Sequence, residues 1–158
     1  QRTSSAASDV YKRQAVDSTV KGIFEPNAGQ ICVAMSRVII HPKVKDEYMT
    51  KLTEKTKKLK IGSGDNADTQ VTPLISPEQL KRVSNYVKSG IQSGATLAVG
   101  GEEAHIGEGN YYQPTVFDNV KTDSTIFIIF LSVTLKPLIN FDLIFDLSSS
   151  LFILGPPP

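Results

Sequence analysis

Helical periods alternate with short runs of β-branched residues along the middle of this chain, and the alternation limits the folds open to it. Apolar residues recur at helical spacing in residues 15–24, 43–60 and 76–94. Short apolar runs that predict strands occupy residues 36–41, 95–99 and 112–120. Alternating helices and strands are typical of α/β folds, so we predict an α/β domain with a mainly parallel sheet and flanking helices.

Local signals refine three of these elements. The run at residues 36–41 is short and β-branched, which predicts a buried strand. Pro114 cannot donate a backbone hydrogen bond, so part of the run at residues 112–120 is expected at a sheet edge. Ser76 can cap the helix that Pro77 begins, and Gln79 follows three residues after the cap, where its side chain can reach back.

Composition excludes several classes of function. The 158 residues carry 17 basic and 16 acidic side chains, a net charge of +1, which argues against a nucleic-acid binder and against an acidic tail. The single cysteine, Cys32, excludes an internal disulfide and a zinc site of several thiolates, so we expect a reducing, cytoplasmic compartment. His41 and His105 are too far apart for metal-ligand spacing, and we predict no metal site.

The chain divides into three parts by composition. Residues 1–14 are polar without an apolar period, and we interpret them as a linker or an artefactual segment. Residues 15–125 hold the α/β pattern. Residues 126–158 form an apolar tail with only three charged side chains, yet its first apolar run, residues 126–135, is too short for a membrane-spanning helix.

Residues 41–60 are rich in lysine, with seven lysines against three acidic residues. Such a cluster predicts either a phosphate-binding patch or a solvated helix face, and we favour the solvated face.

Cys32 is the one side chain with a setting that suits a nucleophile. It follows a turn at residues 26–29 and precedes a predicted strand, where backbone N–H groups are unpaired. The thiolate is the attacking species, so a reactive cysteine needs surroundings that lower the thiol pKa from about 8.5. The alternative is that Cys32, between Ile31 and Val33, is a small buried hydrophobic residue.

A series of motifs resembles the NAD(P)-dependent aldehyde dehydrogenase superfamily. The segment around the cysteine, residues 27–38, reads Asn-Ala-Gly-Gln-Ile-Cys-Val-Ala-Met-Ser-Arg-Val. Further motifs follow in the family's order: Lys-Ile-Gly at 60–62, Thr-Pro-Leu-Ile-Ser at 72–76, Gly-Ala-Thr-Leu at 94–97 with Gly-Gly at 100–101, and Tyr-Gln-Pro-Thr-Val-Phe at 112–117. The resemblance covers residues 15–125, so we interpret this part as a partial aldehyde dehydrogenase catalytic domain.

The resemblance implies a chemistry and its residues. Cys32 would be the catalytic nucleophile, which attacks an aldehyde to give a thiohemiacetal and then, after hydride transfer to NAD or NADP, a thioester that water hydrolyses to the acid. The Cys32 backbone N–H would help to stabilise the oxyanion. Gln79 matches a position that contacts the cofactor ribose in some members, or it is a helix-capping partner only. The intact family member would be a homo-oligomer.

The chain also departs from the family pattern. The nucleotide-binding domain, an oxyanion-binding asparagine and the glutamate of an E-L-G-G motif would precede the cysteine segment, and the 158 residues contain none of them. After Thr125 an E-E-I-F-G-P motif is expected, whereas the chain reads Ile-Phe-Ile-Ile-Phe. We therefore expect this fragment to be inactive by itself. Two alternatives stay open: a truncated product with only a structural or subunit-pairing role, and a relative that transfers the acyl group to CoA.

Overall fold

The computed structural model of the chain describes residues 2–32, 34–127 and 150–154. Its helices are α1 (Arg2–Ile23), α2 (Pro42–Lys57) and α3 (Pro77–Gln92), with a short 3₁₀ turn at Pro26–Gly29. Its strands are β1 (Arg37–Ile39), β2 (Thr96–Val99), β3 (Thr115–Asp118) and β4 (Ser150–Leu154). The predicted helices and strands up to β2 are present in the predicted order, and the α/β class is confirmed.

The four strands form one sheet in the order β1-β4-β3-β2, and each neighbouring pair is antiparallel. The prediction of a mainly parallel sheet is therefore wrong for these strands. The reason lies in the connections: β2 and β3 are joined by residues 100–114, which contain no crossover helix and return the chain beside β2. Strand β4 lies between β1 and β3 and runs opposite to both.

Strand β3 carries the core on both of its faces. Val116 and Phe117 are adjacent and both fully buried, and successive side chains of a strand point to opposite faces. Val116 packs in a cluster with residues of α1 and α2, including Val20 and Leu52. Phe117 packs in a second cluster with Val87 of α3. The sheet is thus covered by α1 and α2 on one face and by α3 on the other.

Two of the strand expectations differ from the structure. Strand β1, expected to be buried, lies at the edge of the sheet, where Ile39 is 73% exposed. Strand β3, expected in part at an edge, lies inside the sheet. Pro114 is compatible with this interior position because β3 begins one residue later, so the missing N–H removes no bond between strands.

Helix α1 begins at Arg2, so residues 2–14 are helical and continuous with the helix predicted from residue 15. An exposed ion pair joins Lys12 to Glu47 of α2 at 2.6 Å, and the buried hydroxyls of Thr19 and Tyr48 hydrogen-bond at 2.5 Å. Residues 10–15 are largely exposed, which explains why the sequence shows no apolar period there. The interpretation of residues 1–14 as artefactual stays a prediction.

The apolar tail contributes to the fold at two places. Ile126 and Phe127 are buried in the cluster around α3, and Ser150–Leu154 form β4. The apolar runs between them, residues 128–149, lie outside the described residues. Within the described residues, no helix combines the length and the apolar character that crossing a membrane requires.

Four of the seven lysines of residues 41–60 make ion pairs within the described part of the chain. Lys45 contacts Asp118 at 2.8 Å, Lys51 contacts Glu47 at 2.7 Å and Lys60 contacts Asp68 at 3.0 Å, while Lys55 pairs with Asp17 of α1. Four of the seven positive charges are therefore paired with a carboxylate of the described residues. This arrangement favours the solvated helix face over a phosphate-binding patch.

Replacing Phe117 tests whether β3 organises the core. We expect Phe117→Ala to lower the free energy of unfolding by about 3–5 kcal/mol, because a cavity forms at a fully buried site. Ile75→Ala, at a position that is 85% exposed, is the control and should change it by less than about 0.5 kcal/mol. Urea unfolding followed by circular dichroism measures both values, and equal effects would contradict the assignment of the core.

Tyr112 makes the stability depend on pH in alkaline solution. Burial raises the pKa of Tyr112 to about 12, and its hydroxyl donates to the Gly101 carbonyl at 2.9 Å. An unfolded tyrosine has a pKa of about 10. The folded chain therefore retains this proton where the unfolded chain has lost it, so the free energy of unfolding should fall as pH rises from about 10 to 12. In Tyr112→Phe the decline over this range should be shallower; an identical decline would contradict the prediction.

Candidate active site around Cys32

The loop between α1 and β1 has an uncommon backbone conformation just before Cys32. Asn27, Ala28 and Gly29 have φ angles of 51°, 53° and 79°. Glycine adopts positive φ without strain and asparagine tolerates it, but for alanine this conformation costs about 1–2 kcal/mol. The predicted turn at residues 26–29 is confirmed, and its backbone is held in a left-handed conformation over three successive residues.

Hydrogen bonds between Asn27 and Gln30 stabilise this conformation. The Gln30 backbone N–H and the Gln30 side-chain Nε2 both donate to the Asn27 carbonyl, each at 3.0 Å. In return the Asn27 Nδ2 lies 3.4 Å from the Gln30 carbonyl. The chain therefore leaves α1 through a closed turn whose end is fixed two residues before the cysteine.

Cys32 is a free thiol and is exposed. The alternative that it is a small buried hydrophobic residue is therefore wrong, because the turn carries it away from the core although Ile23 and Phe24 just before it are buried. A hydrogen bond from the Ala34 N–H to the Ile31 carbonyl, at 3.1 Å, closes a second turn around it. The thiol is thus accessible to a molecule that approaches from solvent.

Gln79 lies in the first turn of α3 and is half-buried. The predicted cap of α3 is confirmed, since Ser76 Oγ accepts a hydrogen bond from the Gln79 backbone N–H at 3.2 Å. The residue just before that cap, Ile75, donates its backbone N–H to Gln30 Oε1 at 2.9 Å. The structure thereby connects the cysteine loop to the start of the helix that carries Gln79.

The two histidines lie in different parts of the fold. His41 precedes α2, and its Nδ1 accepts a hydrogen bond from the Lys43 backbone N–H at 3.2 Å. His105 lies in the loop between β2 and β3, beside a cleft of about 380 Å³. In the described part of the chain, no three His, Cys, Asp or Glu side chains form a group that could hold a metal ion.

Arg37, at the start of β1, makes a contact that the sequence did not predict. Its guanidinium lies 5.0 Å from the centre of the Phe127 ring and donates to the Phe127 carbonyl at 3.3 Å. Burial lowers the pKa of Arg37 from its usual value. Arginine commonly stacks on aromatic rings. The two residues are 90 positions apart, however, so the sequence gives no sign that they pair. The contact joins the start of β1 to Phe127.

Comparison with known proteins identifies the family of this chain. A profile of the Aldehyde dehydrogenase family matches residues 6–129. The chain belongs to the aldehyde dehydrogenase family. The matched residues include most of α1, the cysteine loop and α3, and they extend on both sides of residues 15–125, where the motifs were recognised.

Individual family members give the same result. Succinate-semialdehyde dehydrogenase [NADP(+)] 2 of Schizosaccharomyces pombe is 40% identical over 110 residues, which are 70% of this chain and 22% of that protein. Betaine aldehyde dehydrogenase of Bacillus subtilis is 37% identical over 71% of this chain and 23% of its own length. The chain thus spans less than a quarter of these curated relatives.

Solved structures of aldehyde dehydrogenases share the fold. The NAD+ complex of the Bacillus cereus aldehyde dehydrogenase matches with a TM-score of 0.68 and 37% identity, over 75% of this chain and 23% of that one. The NAD-dependent enzyme of Sinorhizobium meliloti matches with a TM-score of 0.70 and 34% identity, over 73% of this chain and 23% of that one.

Substitution of Gly29 tests the left-handed turn before Cys32. We expect Gly29→Ala to lower the free energy of unfolding by about 1–2 kcal/mol, because the φ of 79° is unfavourable for alanine. Gly64→Ala is a matched control: the nearest atom to its added Cβ is Thr72 Cγ2 at 3.7 Å, an ordinary contact. Chemical unfolding of the two variants should show a loss for Gly29→Ala only, and equal stabilities would contradict the assigned conformation.

Proposed function

We propose that Cys32 is the catalytic nucleophile of an NAD(P)-dependent enzyme that oxidises an aldehyde to a carboxylic acid. The observation that carries the proposal is an exposed thiol at the end of a closed, left-handed turn, within the segment that resembles the family's active-site cysteine motif. Membership of the family supports the class of reaction.

Cys32 would have three roles in the reaction. Its thiolate forms a C–S bond to the aldehyde carbon, and the carbonyl electron pair moves to oxygen to give the thiohemiacetal anion. The same sulfur then carries the acyl group as a thioester, and it leaves as the thiolate when water attacks the acyl carbon. Such a residue must be accessible and held in one orientation, because misplacement of a reacting atom by about 1 Å costs roughly 10²-fold in rate.

NAD or NADP, when bound, supplies the acceptor for the hydride. Gln79 is the residue of this chain that we propose for the ribose, since a primary amide can both donate to and accept from hydroxyl groups. Its half-buried position in the first turn of α3, on a segment hydrogen-bonded to the cysteine loop, fits that role. The choice between NAD and NADP depends on groups that contact the 2′ position of the ribose.

We further propose that these 158 residues do not complete a catalytic cycle by themselves. Removal of a single oxyanion donor typically costs about 10²–10³ in rate. The asparagine donor and the E-L-G-G glutamate that the family resemblance implies are both outside this sequence. The aldehyde, the cytoplasmic compartment and the homo-oligomer expected for the intact enzyme are parts of the same proposal.

Thiol labelling tests the role of Cys32 in this chain directly. Iodoacetamide should alkylate Cys32 in the folded chain at least about tenfold faster than in the chain unfolded by urea, because a catalytic cysteine is more reactive in its folded surroundings than a free thiol. Mass spectrometry measures the rate, and Cys32→Ser, which lacks the single thiol, should show no labelling. A folded chain that reacts no faster than the unfolded one would contradict the proposal and favour a structural role only.

Product analysis separates the dehydrogenase from the CoA-acylating alternative. Resequencing the coding DNA across residues 1–14 and 126–158 shows whether another reading frame continues the family motifs, and the protein that results is assayed with an aldehyde and NAD or NADP. The proposed enzyme releases a carboxylic acid with or without CoA, whereas a CoA-acylating relative forms an acyl-CoA.

A further inference from the structure

We infer that Gln30 is a positioning residue that holds the Cys32 loop and the start of α3 in one fixed arrangement. The inference rests on the proposed function, since it gives Gln30 the task of orienting the proposed nucleophile relative to the proposed cofactor contact. It follows from three hydrogen bonds of one side-chain amide.

The Gln30 amide bridges two separate stretches of backbone. Its Nε2 donates to the Asn27 carbonyl at 3.0 Å and to the Pro73 carbonyl at 3.3 Å. Its Oε1 accepts from the Ile75 backbone N–H at 2.9 Å. A primary amide has two N–H donors and a carbonyl acceptor, so both donors and the acceptor are used.

No side chain of the same length with a different head group can reproduce this pattern. A carboxylate would keep an acceptor for Ile75 but would place negatively charged oxygen against the carbonyls of Asn27 and Pro73. An alkyl side chain would leave all three backbone groups without this partner. The position therefore requires an amide for a reason that the contacts themselves supply.

The bridge also lies between the two proposed site residues. Gln30 is two residues before Cys32, and Ile75 immediately precedes Ser76, whose hydroxyl caps α3 through the Gln79 N–H. A displacement of the cysteine loop relative to α3 must break the Gln30 bonds first. Loss of the amide should accordingly loosen both segments together, while the cores on either face of β3 stay intact.

Substitution of Gln30 in the full chain tests the bridge. Gln30→Ala should lower the rate at which iodoacetamide alkylates Cys32 by about tenfold, toward the rate of the unfolded chain, since the loop no longer holds the thiol in the surroundings that make it reactive. Hydrogen exchange at the Ile75 amide should become faster in the same variant. Gln113→Ala is the matched control, because it removes a glutamine that donates to Glu102 at 3.1 Å in another loop, and it should change neither readout.

Gln30→Glu distinguishes the bond that the amide accepts from the bonds that it donates. It also replaces Gln30→Ala if that variant does not fold. The carboxylate keeps the bond to Ile75, so the Ile75 amide should stay protected, whereas repulsion from the two carbonyls should lower the Cys32 rate. The thermal midpoint of each variant, followed by circular dichroism, shows that the rates refer to folded protein.

The outcomes distinguish this inference from the proposed function. If Cys32 of the unsubstituted chain reacts no faster than in urea, the proposed function fails, and the inference that rests on it is overturned with it. If that rate is fast and unchanged in both Gln30 variants, Gln30 does not position the thiol and only the inference is overturned. Faster exchange at Ile75 with an unchanged Cys32 rate also overturns it, since Gln30 would then be structural only.

Discussion

The alternation of Val116 and Phe117 along β3 is the constraint on which the rest of the structure depends. One strand buries adjacent side chains in two separate cores, so the helices on opposite faces of the sheet are packed against the same piece of backbone. Gly100 allows the hairpin partner to approach closely, because a Cβ there would lie 2.3 Å from the Pro114 carbonyl oxygen. The loops that leave α1 and enter α3 are thereby supported from both sides.

The candidate site shows how a strained loop is maintained by rigid neighbours. Ala28 keeps an unfavourable φ because the buried end of α1, the Asn27–Gln30 bonds and the Gln30 bridge fix the residues around it. Strained backbone persists only where the surroundings determine it, and such places are commonly functional. Here the strain lies within a few residues of the single exposed thiol.

Local signals in the sequence predicted much of the fold and the turn that precedes the proposed nucleophile. The Ser76 cap and the turn before Cys32 depend on neighbouring residues, and both are confirmed. The prediction of parallel strands was wrong because apolar periodicity indicates that a strand exists but does not indicate which strand it pairs with. Strand β4 was not predicted, since Arg37 pairs with Phe152 across 115 positions.

The contacts around the proposed nucleophile could not be predicted from the sequence. Alanine gives no sign of a positive φ, so the conformation of Ala28 becomes evident only in the fold. The Gln30 bonds to Pro73 and Ile75 join segments more than 40 residues apart. A motif can therefore indicate Cys32 as a candidate by type and spacing, while the contacts of the loop around it depend on tertiary structure.

The contact between α1 and α2 is a region that should open more easily than the core. Besides buried apolar contacts and the Thr19–Tyr48 hydrogen bond, the contact between α1 and α2 relies on ion pairs of partly exposed side chains, Lys12 with Glu47 and Lys55 with Asp17. Exposed pairs contribute little, and dissolved salt screens them over a Debye length of about 8 Å at physiological ionic strength. The outer turns of α1 should therefore fray at a lower free energy than β3 unfolds, and the ionic medium around the protein would set how often this happens.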